Sequence, residues 1–188
     1  MQLLLAPILI IGLIVIFAFL LYNSLVTMRN RIDEAWSDID VQLKRRNSLI
    51  PNLIESVKGY MTHERSLLEN ITKLRSQIEQ VKDPKQLANL DKQMSGALST
   101  LKVQVENYPQ LKANENFMHL QEELTNTEDK IAYSRRFYNS TVLEYNTAIQ
   151  KVPAVLIAGT LGFNKREFFE AEEEERKDIK VDFSDAKK

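Results

Sequence analysis

The sequence predicts an all-α protein: an N-terminal transmembrane helix, an up-and-down antiparallel four-helix bundle with long helices, and an irregular C-terminal tail. Three observations predict it. Residues 1–28 are uncharged, and all 25 basic and 26 acidic side chains of the 188-residue chain lie from Arg29 onward. Beyond that point apolar residues recur three or four apart, the spacing of helices that bury one stripe against other helices. No period-two run and no Asn-Gly hairpin signal interrupts the pattern before the tail.

The first element is the apolar block Leu3–Leu21, built from Leu, Ile, Val, Phe and Ala and broken only by Pro7 and Gly12. At 1.5 Å per residue it spans roughly 28 Å, close to the ~30 Å hydrocarbon core of a bilayer. A cleaved signal peptide is the competing reading, but the start is Met-Gln-Leu rather than basic. Phe19-Leu20-Leu21-Tyr22 also offers no small-x-small cleavage site. Residues 1–25 are therefore expected to be an uncleaved, single-pass anchor in the lipid bilayer. Arg29 and Arg31, then Lys44, Arg45 and Arg46, follow the span, while only the α-amino group precedes it. The positive-inside rule then puts the N-terminus outside and the C-terminal domain in the cytoplasm.

Residues 26–152 make the bundle, with helices expected over 26–59, 63–82, 85–107 and 112–150. The first carries Ile32, Trp36, Ile39, Leu43, Ile50, Leu53, Val57 and Tyr60 in phase. Pro51 removes one amide donor and predicts a kink. Gly59 predicts a break near 59–63, although the apolar phase also permits one helix over about 24–82. The second carries Leu67, Ile71, Leu74, Ile78 and Val81, and the third Leu87, Leu90, Met94, Ala97, Leu101 and Val105. In the last, Phe117, Leu124, Ile131, Tyr138, Tyr145 and Val152 stand seven apart, a coiled-coil-like seam. Beside it runs a column of smaller residues, Leu120, Thr127, Ser134, Thr141 and Ala148. Pro84, Pro109 and Pro153 fall where the periodicity stops or changes phase. Neither proline nor glycine occurs between Leu13 and Ile50, so the anchor is expected to run on stiffly into the first bundle helix. Residues 153–188 form the tail. Ala154–Phe169 is expected to dock on the bundle or on the membrane surface, and the acidic run from Glu170 to Glu175 leads into a disordered 176–188.

Composition excludes much chemistry. With no cysteine there is no disulfide, thiolate nucleophile or zinc–sulfur site. Five glycines form no phosphate-cradling motif. A net charge of −1 argues against nucleic acid as a partner. His63-Glu64 lacks the second histidine of a zinc-protease helix, because Leu67 stands in its place. Glu115, His119, Glu122 and Glu123 share a helical face, but it lies beside the apolar stripe and suits surface pairing better than a metal. No catalytic, cofactor-binding or metal-binding residue is assigned, and no cofactor is expected.

Two polar features stand out. Arg46 occupies the seam position between Ile39 and Leu53, where a charge is costly unless paired. It is expected either to meet a carboxylate on another helix and fix the register, or to reach solvent, or to serve a partner. Tyr138-Asn139 and Tyr145-Asn146 repeat at seven residues and so fall on one face, with core packing the simplest role for the tyrosines.

The stretch Asn30–Asn52 (NRIDEAWSDIDVQLKRRNSLIPN) resembles the LemA family of bacterial membrane proteins. The likeness extends through Val57-Lys58-Gly59-Tyr60 and His63-Glu64, then Val105–Lys112 (VENYPQLK), Ala113–Glu123 (ANENFMHLQEE) and Thr127-Glu128. The two Tyr-Asn pairs, Ile157-Ala158 and Gly162-Phe163 complete it. Ser48 stands where the family usually has Asp, removing a carboxylate beside Arg45 and Arg46, and Val152 where Phe precedes the proline. The resemblance implies a single-pass anchor and a cytoplasmic four-helix bundle, with no enzymatic activity. Candidate interaction or structural polar positions are Trp36, Arg45, Arg46, Tyr108, Tyr138, Asn139, Tyr145 and Asn146. The expected function is a non-enzymatic scaffold that forms homo-oligomers or gathers partners at the membrane. The alternative is an adaptor for another membrane protein, such as a protease or envelope-stress component.

Overall fold

The computed structural model describes residues 2–81 and 83–169, with side chains from Leu9 onward. The acidic run and the expected disorder of 176–188 lie outside the described residues. Within them the chain is all-helical: α1 Gln2–Val57, α2 Arg65–Gln80, α3 Pro84–Val105, a single turn α4 Pro109–Lys112, and α5 Glu115–Gln150. A short 3₁₀ turn, Ala154–Leu156, follows.

Helix α1 is one rod of 56 residues, about 84 Å long at 1.5 Å per residue. It passes from the apolar span into the bundle without interruption, and it continues through Pro51, which faces solvent. The break after it falls at 58–64, so two separate helices rather than one continuous helix follow the anchor. Two later prolines start helices instead of stopping them. Pro84 and Pro109 each occupy the first turn, where the missing N–H has no partner to lose. Asp83 caps α3 by accepting from the Gln86 amide at 2.8 Å, and Asn114 caps α5 by accepting from Phe117 at 3.1 Å.

The long pair α1 and α5 is the spine. Arg45 meets Glu123 and Trp36 meets Tyr138, so the two helices run antiparallel. The α2–α3 hairpin packs on the lower half of this pair. The Tyr108 hydroxyl donates to Glu64 Oε2 at 2.6 Å, tying the end of α3 to the start of α2. Ile32, Ile39, Leu43, Ile50, Leu53 and Val57 are buried as the spacing predicts. Two seam assignments are wrong. Tyr60 is exposed because the chain leaves the helix at Lys58, and Met61 turns inward in its place. Val152 is exposed because α5 has ended two residues earlier.

The hairpin does not reach the upper half of α1 and α5. Residues 163–169 cover that half instead: the chain turns back after α5, and both Phe163 and Phe169 are buried in the core. We call this segment the strap. Over residues 163–169 the tail docks on the bundle, whereas Val155, Leu156 and Leu161 before it stay exposed.

Candidate functional site

Arg46 is fully buried on α1, and its guanidinium gathers carboxylates from two other helices. Nη2 lies 2.8 Å from Asp91 Oδ1 of α3, a charge contact without hydrogen-bond geometry, and Nη1 donates to Glu128 Oε1 of α5 at 2.9 Å. Ser95 donates to the other oxygen of Glu128 at 2.8 Å, and Arg135 of α5 donates to Asp91 Oδ2 at 3.0 Å. Two positive and two negative charges thus balance in the middle of the bundle and tie three helices together. A buried ion that loses its partner is strongly destabilising, so such a cluster fixes register. The missing carboxylate at Ser48 does not dissolve the network, because the acids come from α3 and α5. Arg45, one residue earlier, points outward and pairs with Glu123 at 2.6 Å.

Asp91, Ser95, Glu128 and Arg135 were not singled out by sequence. A signal existed for Asp91: it lies between Leu87 and Met94, on the apolar stripe of α3, as Arg46 does between Ile39 and Leu53 on α1. Two seam charges of opposite sign on different helices point to each other.

The second constellation is the pair of Tyr-Asn dipeptides, which grip the strap. Asn146 is bidentate: its Nδ2 donates to the Arg166 carbonyl at 2.8 Å and its Oδ1 accepts from the Arg166 amide at 2.9 Å. Asn139 does the same to Phe169, at 2.8 Å in both directions. The Tyr145 hydroxyl donates to the Asn164 carbonyl and the Tyr138 hydroxyl to that of Glu167, each at 3.0 Å. The spacing explains the repeat. Seven helical residues rise about 10.5 Å, and three extended residues span about 10 Å. Positions a heptad apart on α5 therefore meet positions three apart on an extended chain. The tyrosines contribute core packing as expected; the asparagines act as backbone readers in the manner of a sheet edge.

The strap is closed at both ends by phenylalanine. Phe169 packs against Trp36, ring centroids 6.1 Å apart, with the Arg135 guanidinium 5.7 Å from its ring. Arg135 therefore touches both the strap and the charge cluster. Phe163 meets Tyr22 edge-on at 5.5 Å and lies under Arg29. Arg166 adds an ion pair to Asp33 at 2.8 Å. The eight sequence candidates thus divide. Trp36, Tyr138, Asn139, Tyr145 and Asn146 converge on the strap, Arg46 centres the charge cluster, and Arg45 and Tyr108 make separate interhelix ties.

Burial raises the pKa of Tyr138 and Tyr145 above the ordinary tyrosine value of 10.0, against the opposing pull of Arg166. The raised pKa means that the strap's tyrosine contribution is complete below pH 10 and is lost as pH rises through the higher folded value. Ionisation removes a donor and sets an anion against a carbonyl. In an alkaline titration followed at the tyrosinate absorbance, a late-ionising fraction is expected. The double variant Y138F/Y145F should cut that fraction back to Tyr108, whose hydroxyl donates to Glu64 and is raised likewise; a fraction of unchanged size would mean that the strap tyrosines are not its source.

Glu115, His119 and Glu122 stand on the exposed side of α5, and among the described residues no three His, Asp or Glu side chains come together as a metal would need. A cleft of about 230 Å³ opens between α3 and α5, floored by Leu53, Leu98, Leu101, Phe117 and Leu124 and edged by Glu128.

The fold and its strap define a class: a helical bundle whose first helix continues into a segment long and apolar enough to cross a membrane. The LemA family model matches residues 35–183. The chain belongs to the LemA family. It is similar to Protein LemA of Metamycoplasma hominis, 30% identical over 158 residues that cover 84% of this chain and 72% of the relative. It is also similar to Magnetosome protein MamQ of Magnetospirillum gryphiswaldense, 28% identical, and to Magnetosome protein MamQ 2 of Paramagnetospirillum magneticum, 26% identical. The chain covers 79% of itself in both matches but only 64% of either magnetosome relative, under two thirds of their length.

Proposed function

We propose that the protein is a non-enzymatic, membrane-anchored helical scaffold that self-associates or organises partners at the cytoplasmic face of a bacterial inner membrane. The observation that carries this reading is the unbroken α1. The helix that exposes Leu9–Leu20 is the same helix that buries Leu25, Ile32, Ile39 and Ile50 in the bundle core. With no hinge between them, the bundle is held at a set angle to the span, which suits lateral assembly. The outer face of α5 offers an exposed aromatic pair at helical spacing, Tyr133 and Phe137.

Light scattering after size exclusion tests the reading, on the detergent-solubilised full chain beside one beginning at Thr27. A defined mass several times that of one chain is expected for the full-length protein. Persistence of that mass without residues 1–26 would assign the contacts to the bundle; its loss would assign them to the span. Monomers in both would overturn self-association. The adaptor reading would then lead, and the cleft between α3 and α5 is the feature that favours it.

A further inference from the structure

The apolar loop that joins α5 to the strap has its own placement to explain. Residues 152–164 (VPAVLIAGTLGFN) carry no charge, and Lys151 and Lys165 bracket them. The loop is two-faced. Its small residues Ala154 and Ala158 are buried against the bundle, while Val152, Val155, Leu156 and Leu161 face outward, Leu156 with 73% of its surface exposed. Gly162 makes the return into the strap possible, because its φ of 77° lies in the left-handed region.

The height of the loop follows from its contacts. Phe163, at its end, packs on Tyr22, and Leu21 packs against the same core. The loop is therefore level with the last turn of the apolar segment of α1. Above it the residues of α1 from Leu9 to Leu20 are exposed except for half-buried Ala18, with Leu13 73% exposed. Arg29, the first charge in the chain, starts seven residues below Tyr22 on α1, about 10 Å, and its guanidinium reaches back to 5.5 Å from the Phe163 ring. The first charge thus stands at the end of the loop, within the layer of about 5–8 Å by which the full bilayer exceeds its core on each side.

We propose that the loop Val152–Gly162 is inserted into the interfacial layer of the bilayer beside α1, with lipid acyl chains as the partner of its four outward side chains. This rests on the reading of α1 as a membrane anchor. Phe163 on Tyr22 sets the loop at the height of the anchor's last turn, so one apolar environment covers both, and the two flanking lysines meet phosphate oxygens as their stems cross the boundary. The bundle is then attached to the membrane at two points. A single helix lets a domain rotate about its axis; a second contact off that axis stops the rotation and presents one side of the bundle to its neighbours.

The absence of cysteine makes the test direct, because each introduced thiol is the only one. L156C in the loop, I14C in the span and V103C at a distal exposed site are each labelled with an environment-sensitive NBD fluorophore. The full chain is reconstituted into mixed phosphatidylcholine and phosphatidylglycerol vesicles, with or without lipids brominated on the acyl chain. The expected result is blue-shifted emission from L156C and I14C, quenched by brominated lipid several-fold more than V103C. An embedded I14C with an aqueous, unquenched L156C would overturn the inserted loop and leave the anchor standing. Blue-shifted but unquenched emission from L156C would put protein over the loop and overturn it likewise. Aqueous signals from both would overturn the anchor and this inference together.

Discussion

Arg46→Ala is expected to destabilise the bundle by about 3–5 kcal/mol, the usual cost of breaking a buried ion pair from one side. The substitution strips Asp91, itself fully buried, of its closest cation and leaves it paired with Arg135, while Glu128 keeps Ser95. It also leaves the space of a long side chain empty, which adds to the loss. Two further variants separate charge from packing. Arg46→Lys keeps the charge, but a single ammonium cannot reach both Asp91 and Glu128 as the planar fork does. It should be intermediate. Pairing Arg46→Met with Asp91→Leu removes both fully buried charges and leaves Glu128 and Arg135, each about 30% exposed, to solvent. That pair should recover most of the loss, because apolar replacement of a buried ion pair is often neutral or stabilising. Urea unfolding followed through Trp36, the single tryptophan, provides the measurement. Additive losses in the double variant would show that Arg46 and Asp91 do not act as a unit.

The second large effect is local. Asn139→Ala with Asn146→Ala removes all four hydrogen bonds from the asparagines to the strap backbone. Each is worth about 0.5–1.5 kcal/mol net, so the strap loses roughly 2–6 kcal/mol of what holds it. The cost is capped by the docking energy of the strap itself, because a released strap returns its amides to water. Opening is therefore expected as a separate unit, with the charge cluster and the α2–α3 hairpin in place. The side chains of Lys165 and Arg166 are already exposed, but their backbone is then freed for trypsin, and cleavage there should accelerate at least about ten-fold, the equivalent of 1.4 kcal/mol. Trp36 should shift its emission to the red as Phe169 departs. Cleavage at the native rate would mean that the two phenylalanines and the Arg166–Asp33 pair hold the strap without the asparagines.

The helices were legible in the sequence because their stripes are strong and local. The seam residues of α1, α3 and α5 could be named one by one, since burial on a helix follows a period that neighbours in the chain reveal. Tyr60 and Val152 failed for the same reason that the rest succeeded. They keep the period, but the helix has ended, and period alone does not say where a chain leaves the axis. Arg46 could be flagged as a seam charge needing a carboxylate, and Asp91 stands on the stripe of α3 as a matching charge, but no sequence pattern ties them to Glu128 and Arg135. Asp91, Glu128 and Arg135 are 45 to 89 positions from Arg46 in the sequence, and only the relative height of three helices brings them together.

The Tyr-Asn repeat shows the division most plainly. Its seven-residue spacing placed four side chains on one face of α5, and core packing accounted for the tyrosines. Nothing in that spacing says that an extended segment twenty to thirty residues later runs back along the face. The match of seven helical residues to three extended ones exists only once both conformations are present. By itself, then, the sequence determined the helices, the apolar segment and the stiffness of their junction, because these depend on local period and on the absence of breakers. The tertiary structure alone decided which charges pair, how the strap is held and how high the apolar loop sits, because those are distances between segments, and a distance between segments is set by packing.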